Sequence, residues 1–164
     1  LSATVEDTKP DEFRALLELN VMAVFTVTQA VLPWMRRQGR GHILNVSSIV
    51  GRRGVPYRGA YSATKFALGG FSEALRVELA GTGISVSLVY PIGTATEFHE
   101  VEARRAGPGP HGPIQSSEHV ARCILRCVKR PRPEVYPFRP SWLLSLASVI
   151  APRLVDLGFR RLLR

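Results

Sequence analysis

The sequence predicts an α/β fold, with a parallel sheet of about three strands flanked by helices and followed by a helical tail. Short apolar runs alternate with segments of helical periodicity, and glycines separate the two kinds of segment. Strands that alternate with helices are joined by right-handed crossovers, which makes the sheet parallel and places helices on both faces. Three strands make about half of such a doubly wound sheet.

The first element is a long helix predicted from residue 10 to about residue 37, because apolar residues recur there at helical spacing. Thr8 is its predicted cap, and a bend is expected near Pro33. Gly39 and Gly41 are expected to end the helix.

Two strands follow, with a helix between them. The apolar runs 42–48 and 84–90 are typical of strands buried on both faces. A loop over residues 49–59 precedes a helix predicted from residue 60 to about residue 80, which Gly81 and Gly83 end.

The remainder begins with a loop over residues 91–115 that is rich in glycine and proline and longer than most loops in compact domains. Ser116 or Ser117 caps a helix to about residue 130, and residues 134–137 supply a third strand. An apolar segment that starts at Trp142 and an amphipathic basic segment complete the chain.

The net charge of +9 is concentrated near the carboxyl end, where ten cations face only Glu134 and Asp156. Such a block suits nucleic acid, an anionic membrane, another subunit or a solvated surface, and we favour the solvated surface. No aromatic residues are interleaved as in nucleic-acid grooves, so we expect no nucleic-acid partner. The cations are Arg122, Arg126, Lys129, Arg130, Arg132, Arg139, Arg153, Arg160, Arg161 and Arg164.

The compartment is predicted from the cysteines and the first residues. Cys123 and Cys127 stand one helical turn apart, which indicates buried thiols in a reducing compartment and favours the cytoplasm. Residues 1–9 have neither a basic start nor an apolar run, so no signal segment is predicted. Because the first residue is Leu1, we expect the chain to be part of a longer protein.

Tyr61 and Lys65 are the first candidates for chemistry, since residues four apart on a helix project from one face. An exposed pair on an amphipathic helix is the alternative for this spacing. The preceding strand changes the balance, because it ends in Ser47 and Ser48, and ligands bind at the carboxyl ends of parallel strands.

This order of residues resembles the short-chain dehydrogenase/reductase family, in which a serine ending the fifth strand precedes a Tyr-x-x-x-Lys motif by a fixed interval. Ser48 in NVSS matches that serine, and Asn20 in LNVMAVF matches the family's catalytic asparagine. The resemblance runs over residues 1–137. It implies the carboxyl-terminal half of a Rossmann-type sheet, with residues 1–140 as a partial oxidoreductase domain and residues 141–164 as its tail.

The family's mechanism implies a role for each match. A free phenol has a pKa of about 10, and the Lys65 ammonium would favour the phenolate, which suits Tyr61 to act as general acid/base. Ser48 would hold the substrate oxygen, and Lys65 would also bind the cofactor ribose. Asn20 would position a water in the proton relay, or it is simply a buried polar residue at a helix bend.

The segment YPIGTAT matches the family's nicotinamide-side Pro-Gly-x-x-x-Thr turn, which implies that Pro91, Gly93, Thr94 and Thr96 contact the cofactor. Ile92 stands where the family has glycine, so Gly93 would serve in a shifted turn. The alternative role of the two threonines is turn and cap chemistry.

The cofactor implied is NAD or NADP, yet the sequence contains no strand followed by a G-x-x-x-G-x-G turn. Pyrophosphate binding needs such a turn at a helix amino terminus. The residue that distinguishes NAD from NADP would lie in the same missing half. Two hypotheses follow: a parent enzyme that interconverts an alcohol and a carbonyl, or a truncated non-catalytic fragment or interaction module.

The histidines and cysteines predict no metal site. His119, Cys123 and Cys127 are spaced four residues apart, and three ligands along one straight helix diverge too far to surround one ion. They are expected on the core face instead. His42 and His99 have no identifiable base or nucleophile as a partner.

Partners are predicted in part from the loops and in part from the resemblance. Val50, Val55 and Tyr57 indicate a small apolar alcohol or carbonyl substrate. The family forms dimers and tetramers through helices that match residues 10–37 and 60–80, which implies a homo-oligomer. The tail suits peripheral contact with an anionic membrane, or packing over the substrate pocket or against another subunit.

Overall fold

The computed structural model describes residues 2–97 and 112–162. The first helix, Pro10–Gln38, consists of α1 (Pro10–Leu17), a π-helical turn (Glu18–Met22) and α2 (Ala23–Gln38). The other helices are α3 (Gly59–Glu78), α4 (Ser117–Lys129), α5 (Ser141–Ile150) and α6 (Pro152–Leu162), with a 3-10 turn at Ile49–Gly51. The strands are β1 (Gly41–Val46), β2 (Ile84–Val89), β3 (Gly93–Ala95), β4 (Ile114–Ser116) and β5 (Glu134–Val135).

The main sheet has the order β1-β2-β5, and both pairings are parallel. Gly41 lies opposite Ile84 and Val46 opposite Val89, so β1 and β2 end together at their carboxyl ends. The predicted parallel sheet of three strands flanked by helices is confirmed. Its strands are shorter than the apolar runs suggested, because Ser47, Ser48 and Tyr90 already belong to the loops.

The core lies between this sheet and the helices, with α2 packed against β1 and α3 against β2. Leu88 and Val89 of β2 are 1% and 0% exposed, as expected for a strand covered on both faces. Each fully buried side chain of this size contributes about 1.5–3 kcal/mol relative to an exposed one. The main cluster consists of Ile43, Leu75, Leu79, Ile84 and Val86.

The first helix differs from its prediction at its cap and contains a π-helical turn that was not predicted. Lys9 is the cap and makes no side-chain bond, while the Thr8 hydroxyl donates to the Thr4 carbonyl, so the expected Thr8 cap is wrong. Pro33 lies inside α2, and the α-helical hydrogen-bond pattern is interrupted earlier, at the π-helical turn. Gly39, in the left-handed conformation with φ 63°, ends the helix as predicted.

By length and composition alone, this first helix could cross a membrane. Helices of globular proteins can have the same composition. Here the helix packs against β1 and α3 on one side, and side chains such as Leu19, Val27 and Trp34 are exposed on the other.

The predicted loop at residues 91–115 contains two short strands. β3 and β4 form a separate parallel pair, which joins Gly93–Ala95 to Ile114–Ser116. The Ser116 hydroxyl accepts a hydrogen bond from the His119 amide, which confirms a serine cap for α4.

Candidate active site

Lys65 lies on α3 with only 9% of its surface exposed. Its Nζ donates to the Val46 carbonyl at 3.1 Å, so the ammonium contacts the carboxyl end of β1. The same nitrogen lies 5.6 Å from the centre of the Tyr61 ring, one helical turn earlier. Burial lowers the pKa of Lys65, because desolvation disfavours the charged amine. The predicted pair therefore shares one face of α3, at the carboxyl edge of the sheet.

Ser47 fixes β1 to α3 beside this pair. Its hydroxyl is buried and donates to the Lys65 carbonyl at 3.1 Å. The 3-10 turn approaches Ser47 and α3 so closely that a Cβ added at Gly51 would lie 2.6 Å from Ser47 Oγ and 2.7 Å from the Lys65 oxygen. Only glycine fits at this crossing without displacing one of them.

Ser48 lies where β1 ends and the 3-10 turn begins. Its hydroxyl accepts from the Val50 amide at 3.4 Å and is 3.5 Å from the Pro91 carbonyl, so both contacts are long. The Ile49 amide donates to the same carbonyl at 2.9 Å, which joins the loops after β1 and β2. Ser48 is half-buried. Because both of its hydrogen bonds are long and therefore weak, a ligand oxygen can replace them.

Asn20 lies in the π-helical turn. Its amide donates to Thr64 Oγ1 at 3.2 Å, and the Thr64 hydroxyl donates to the Tyr61 carbonyl at 2.8 Å. Thr64 is fully buried, so this chain of bonds ties the first helix to the turn of α3 that carries Tyr61. π-Helical turns within α-helices occur frequently at functional sites.

The segment after β2 places its predicted cofactor residues differently from a glycine turn. Gly93 and Thr94 belong to β3, and Gly93 is not among the described glycines with positive φ. Thr94 Oγ1 donates to the Ile92 carbonyl at 2.9 Å and accepts from Gln115, while the Thr96 hydroxyl donates to the Thr94 carbonyl. The expected shifted turn at Gly93 is therefore replaced by pairing with β4.

The structure thus brings three predicted residues, Asn20, Tyr61 and Lys65, onto one connected group of contacts. Ser48 joins them through its neighbour Ser47, and Pro91 joins Ser48. Thr94 and Thr96 bond among themselves and to β4.

Arg52 is a structural residue that the sequence reasoning missed. Its guanidinium bonds Glu73 of α3 at 3.0 Å, forms an ion pair with Glu134 of β5 and lies 4.7 Å from the centre of the Tyr90 ring. Burial raises the pKa of Tyr90 to about 12, against the opposing effect of Arg52. Tyr136 stacks on Tyr90 and donates to Glu134. This network anchors the loop that follows Ser48.

Arg53, the next residue, anchors the same loop to the tail. It pairs with Asp156 and lies 5.7 Å from the Phe159 ring, both on α6. Neither arginine carried a sequence signal, because their carboxylate partners lie 21, 82 and 103 positions away in the chain. An arginine on the surface and an arginine that anchors a loop have similar neighbours in the sequence, so local sequence does not distinguish them.

Tyr57 has a positive φ of 64°, which is uncommon for a residue with a side chain. The Ala3 amide donates to its carbonyl at 2.8 Å and holds this part of the loop. Val50 is 5% exposed and belongs to the core, so it does not line an open apolar pocket as expected.

The remaining candidates do not join the site. Cys127 is buried, but His119 and Cys123 are half-buried and line a groove, their side chains 3.7 Å apart, which corrects the prediction of a shared core face. His42, for which the sequence identified no base or nucleophile partner, bonds the Ser87 hydroxyl at 2.8 Å, and burial lowers its pKa. His99 lies outside the described residues.

The family model for short chain dehydrogenases matches residues 2–106. The ketoacyl reductase HetN of Nostoc sp. is 32% identical over 155 residues, which are 91% of this chain and 54% of that protein. This chain therefore spans about half the length of that curated relative.

Two solved structures show the same fold. A short chain dehydrogenase from Burkholderia cenocepacia in complex with NADP superimposes with a TM-score of 0.80, at 23% identity, over 96% of this chain and 63% of that chain. A 3-oxoacyl-[acyl-carrier protein] reductase from Brucella melitensis with bound NAD gives 0.67, at 29% identity, over 83% and 54% of the two chains. The matched family model and these likenesses show that this chain belongs to the short-chain dehydrogenase family of oxidoreductases.

Proposed function

We propose that this chain supplies the catalytic half of an NAD(P)-dependent oxidoreductase that interconverts an alcohol and a carbonyl, with Tyr61 as its general acid/base. The observation that carries the proposal is the position of Lys65. Its ammonium donates to the carbonyl of Val46, the last residue of β1, and lies 5.6 Å from the centre of the Tyr61 ring. An amine held there has a fixed position from which to favour the phenolate.

The chain's own residues then divide the work of moving one proton. Tyr61 donates the proton to a substrate oxygen during reduction and accepts it during oxidation. The Ser48 hydroxyl exchanges its long internal contacts for a bond to that oxygen, and Asn20 orients the relay through Thr64. The bound dinucleotide supplies or accepts the hydride.

The residues present fit the nicotinamide side of such a cofactor. An ammonium has three N–H donors, and Lys65 gives one to Val46, which leaves two for ribose hydroxyls. Pro91, Gly93, Thr94 and Thr96 lie after β2, at the carboxyl edge of the sheet where ligands of this fold bind. The proposed cofactor is NAD or NADP, since the similar solved structures contain one or the other.

For the substrate, we propose a small apolar molecule bearing a ketone or secondary alcohol. Two matched proteins are reductases of ketoacyl or 3-oxoacyl compounds. The exposed apolar side chains Leu19 and Met22 on the first helix and Phe66 on α3 support a homo-oligomer joined through these helices. A reducing compartment such as the cytoplasm agrees with the two free thiols.

The test is Tyr61→Phe in the intact protein, assayed with NADPH or NADH and a 3-ketoacyl substrate. We expect turnover to fall about 10²- to 10⁴-fold, because the proton donor is lost, while cofactor affinity changes little. Tyr90→Phe is the matched control, since it removes the hydroxyl of a different tyrosine, which is fully buried and stacks on Tyr136. Equal activity of Tyr61→Phe and wild type would overturn the mechanism.

A second candidate is a non-catalytic fragment or interaction module. One observation favours it: within residues 2–97 and 112–162, β1 pairs on only one side, which leaves a strand edge able to bind another chain. Calorimetric titration of residues 1–164 with NADPH and NADH separates the two. Saturable binding by this chain alone would contradict the fragment hypothesis.

A further inference from the structure

Helix α5 buries serines and exposes apolar residues, whereas an ordinary surface helix does the opposite. Ser141 and Ser145 are 5% and 8% exposed, and their hydroxyls donate to backbone carbonyls. The outward face is apolar, with Val149 and Ile150 80% and 71% exposed. Surface helices bury their apolar face, so this face is built to be covered.

Helix α6 follows α5 directly in the chain and also exposes apolar side chains. Phe159 points inward towards Arg53, while Leu154 and Leu157 are 69% and 49% exposed. Arg160 and Arg161 lie in its last turn. Exposed leucines flanked by arginines are typical of helices that lie in the interface of a lipid bilayer.

A cationic groove of about 730 Å³ adjoins α5, between α4 and β5. Among the described residues, none of its cations forms a salt bridge, and its one carboxylate, Glu134, is paired with Arg52. Trp142 lines the groove and begins the apolar face of α5, as tryptophans do between headgroups and acyl chains. The cations are Arg126, Lys129, Arg130, Arg132 and Arg139.

We propose that α5, α6 and this groove form a docking surface for an anionic lipid bilayer. The apolar faces of α5 and α6 enter the outer acyl region, Trp142 lies at the boundary, and the groove takes the lipid phosphates. Charge complementarity favours a lipid surface over a second copy of this chain, because the opposing surface of a copy would carry the same unpaired cations. This inference does not depend on the proposed catalytic activity.

The test is co-sedimentation of the intact protein with vesicles of phosphatidylcholine alone or with 30% phosphatidylserine. We expect binding to the anionic vesicles only, weakening as salt is raised. Arg160→Glu with Arg161→Glu should weaken it by about 30-fold or more, since each cation near the surface contributes about one kcal/mol. Ile150→Ser should weaken it by about tenfold.

Matched controls lie elsewhere on the chain. Val77→Ser removes an apolar side chain that is 73% exposed on α3, and Arg36→Glu with Arg37→Glu reverses two exposed charges at the end of α2. Both should bind like wild type. Absence of binding to anionic vesicles, or equal binding by all variants, would overturn the proposal. So would a change of oligomeric mass in Ile150→Ser, which would assign the face to a subunit contact.

Discussion

The sheet edge at Lys65 and the tail at α5–α6 place polar and apolar groups in opposite ways. At the sheet edge, buried polar groups such as Lys65, Ser47 and Thr64 find partners inside the chain. In the tail, the buried serines Ser141 and Ser145 donate to carbonyls three or four residues earlier in the chain, while apolar side chains face outward. The difference teaches that the sheet edge satisfies its buried polar groups within the chain, whereas the tail exposes an apolar face, which we propose a lipid bilayer covers.

Lys65→Met should break the sheet edge most severely. The methionine fills the space but removes the ammonium, so we expect turnover of the intact enzyme to fall about 10²- to 10⁴-fold. Steady-state kinetics should also show weaker cofactor binding, because two donors for the ribose are lost. Activity within twofold of wild type would contradict the role of Lys65.

A pH titration of stability provides the control for Lys65→Met. Because burial lowers the pKa of Lys65, the unfolded chain binds more protons than the folded chain between that pKa and 10.5. The contribution of Lys65 to the free energy of unfolding therefore rises with pH across this window. The difference between wild type and Lys65→Met, measured by urea unfolding, should follow that rise.

Gly51→Ala should come next, through stability as well as activity. The new methyl group would meet Ser47 and the Lys65 carbonyl, and overpacking of this kind costs about 1–3 kcal/mol. Gly54→Ala is the matched control three residues later, because no atom of the described residues lies within 4 Å of its added Cβ. Urea midpoints that shift equally in both variants would show that the crossing is not tight.

Two buried serines sharpen the comparison between the regions. Ser72 donates to Leu68 and accepts from Asn45, so Ser72→Ala leaves the buried Asn45 amide unpaired and should cost about 1–3 kcal/mol. Ser145→Ala removes only a bond to its own helix and should stay within about 0.5 kcal/mol. Thermal unfolding of both variants measures the difference, and a larger cost for Ser145 would reverse our view of the tail.

The two adjacent arginines give the smallest expected contrast. Arg52→Met loses ion pairs to Glu73 and Glu134 that are partly shielded from solvent, which should cost about 1–2 kcal/mol. Arg53→Met loses a pair whose carboxylate is 56% exposed, which should cost less than about 1 kcal/mol. Chemical denaturation distinguishes them, and equal costs would indicate that the tail is anchored as firmly as the core.

Much of the framework was predictable because it rests on local patterns. The strands β1 and β2, the helix that carries Tyr61 and Lys65, and the serine cap at Ser116 follow from periodicity and capping chemistry. β3 and β4 were missed, since three-residue strands in a loop rich in glycine and proline leave no periodic signal.

The parts of the site that escaped prediction depend on distant residues. Nothing near Asn20 announces a π-helical turn, which is a change of hydrogen-bond pattern rather than of composition. The burial of serines and the exposure of apolar residues on α5 also escaped prediction, because the packing of the whole chain determines which face is buried. The catalytic roles of Asn20, Ser48, Tyr61 and Lys65 stay predictions.

The π-helical turn at Glu18–Met22 determines the direction in which the later side chains of the first helix point. Each α-helical residue advances the side-chain direction by about 100°, so one additional residue within a turn reorients Asn20 against α2. Deleting a single residue there would restore continuous α-helical hydrogen bonding. It would also rotate the Asn20 amide away from Thr64. A length change of one residue, neutral in most loops, would here disconnect the first helix from the site.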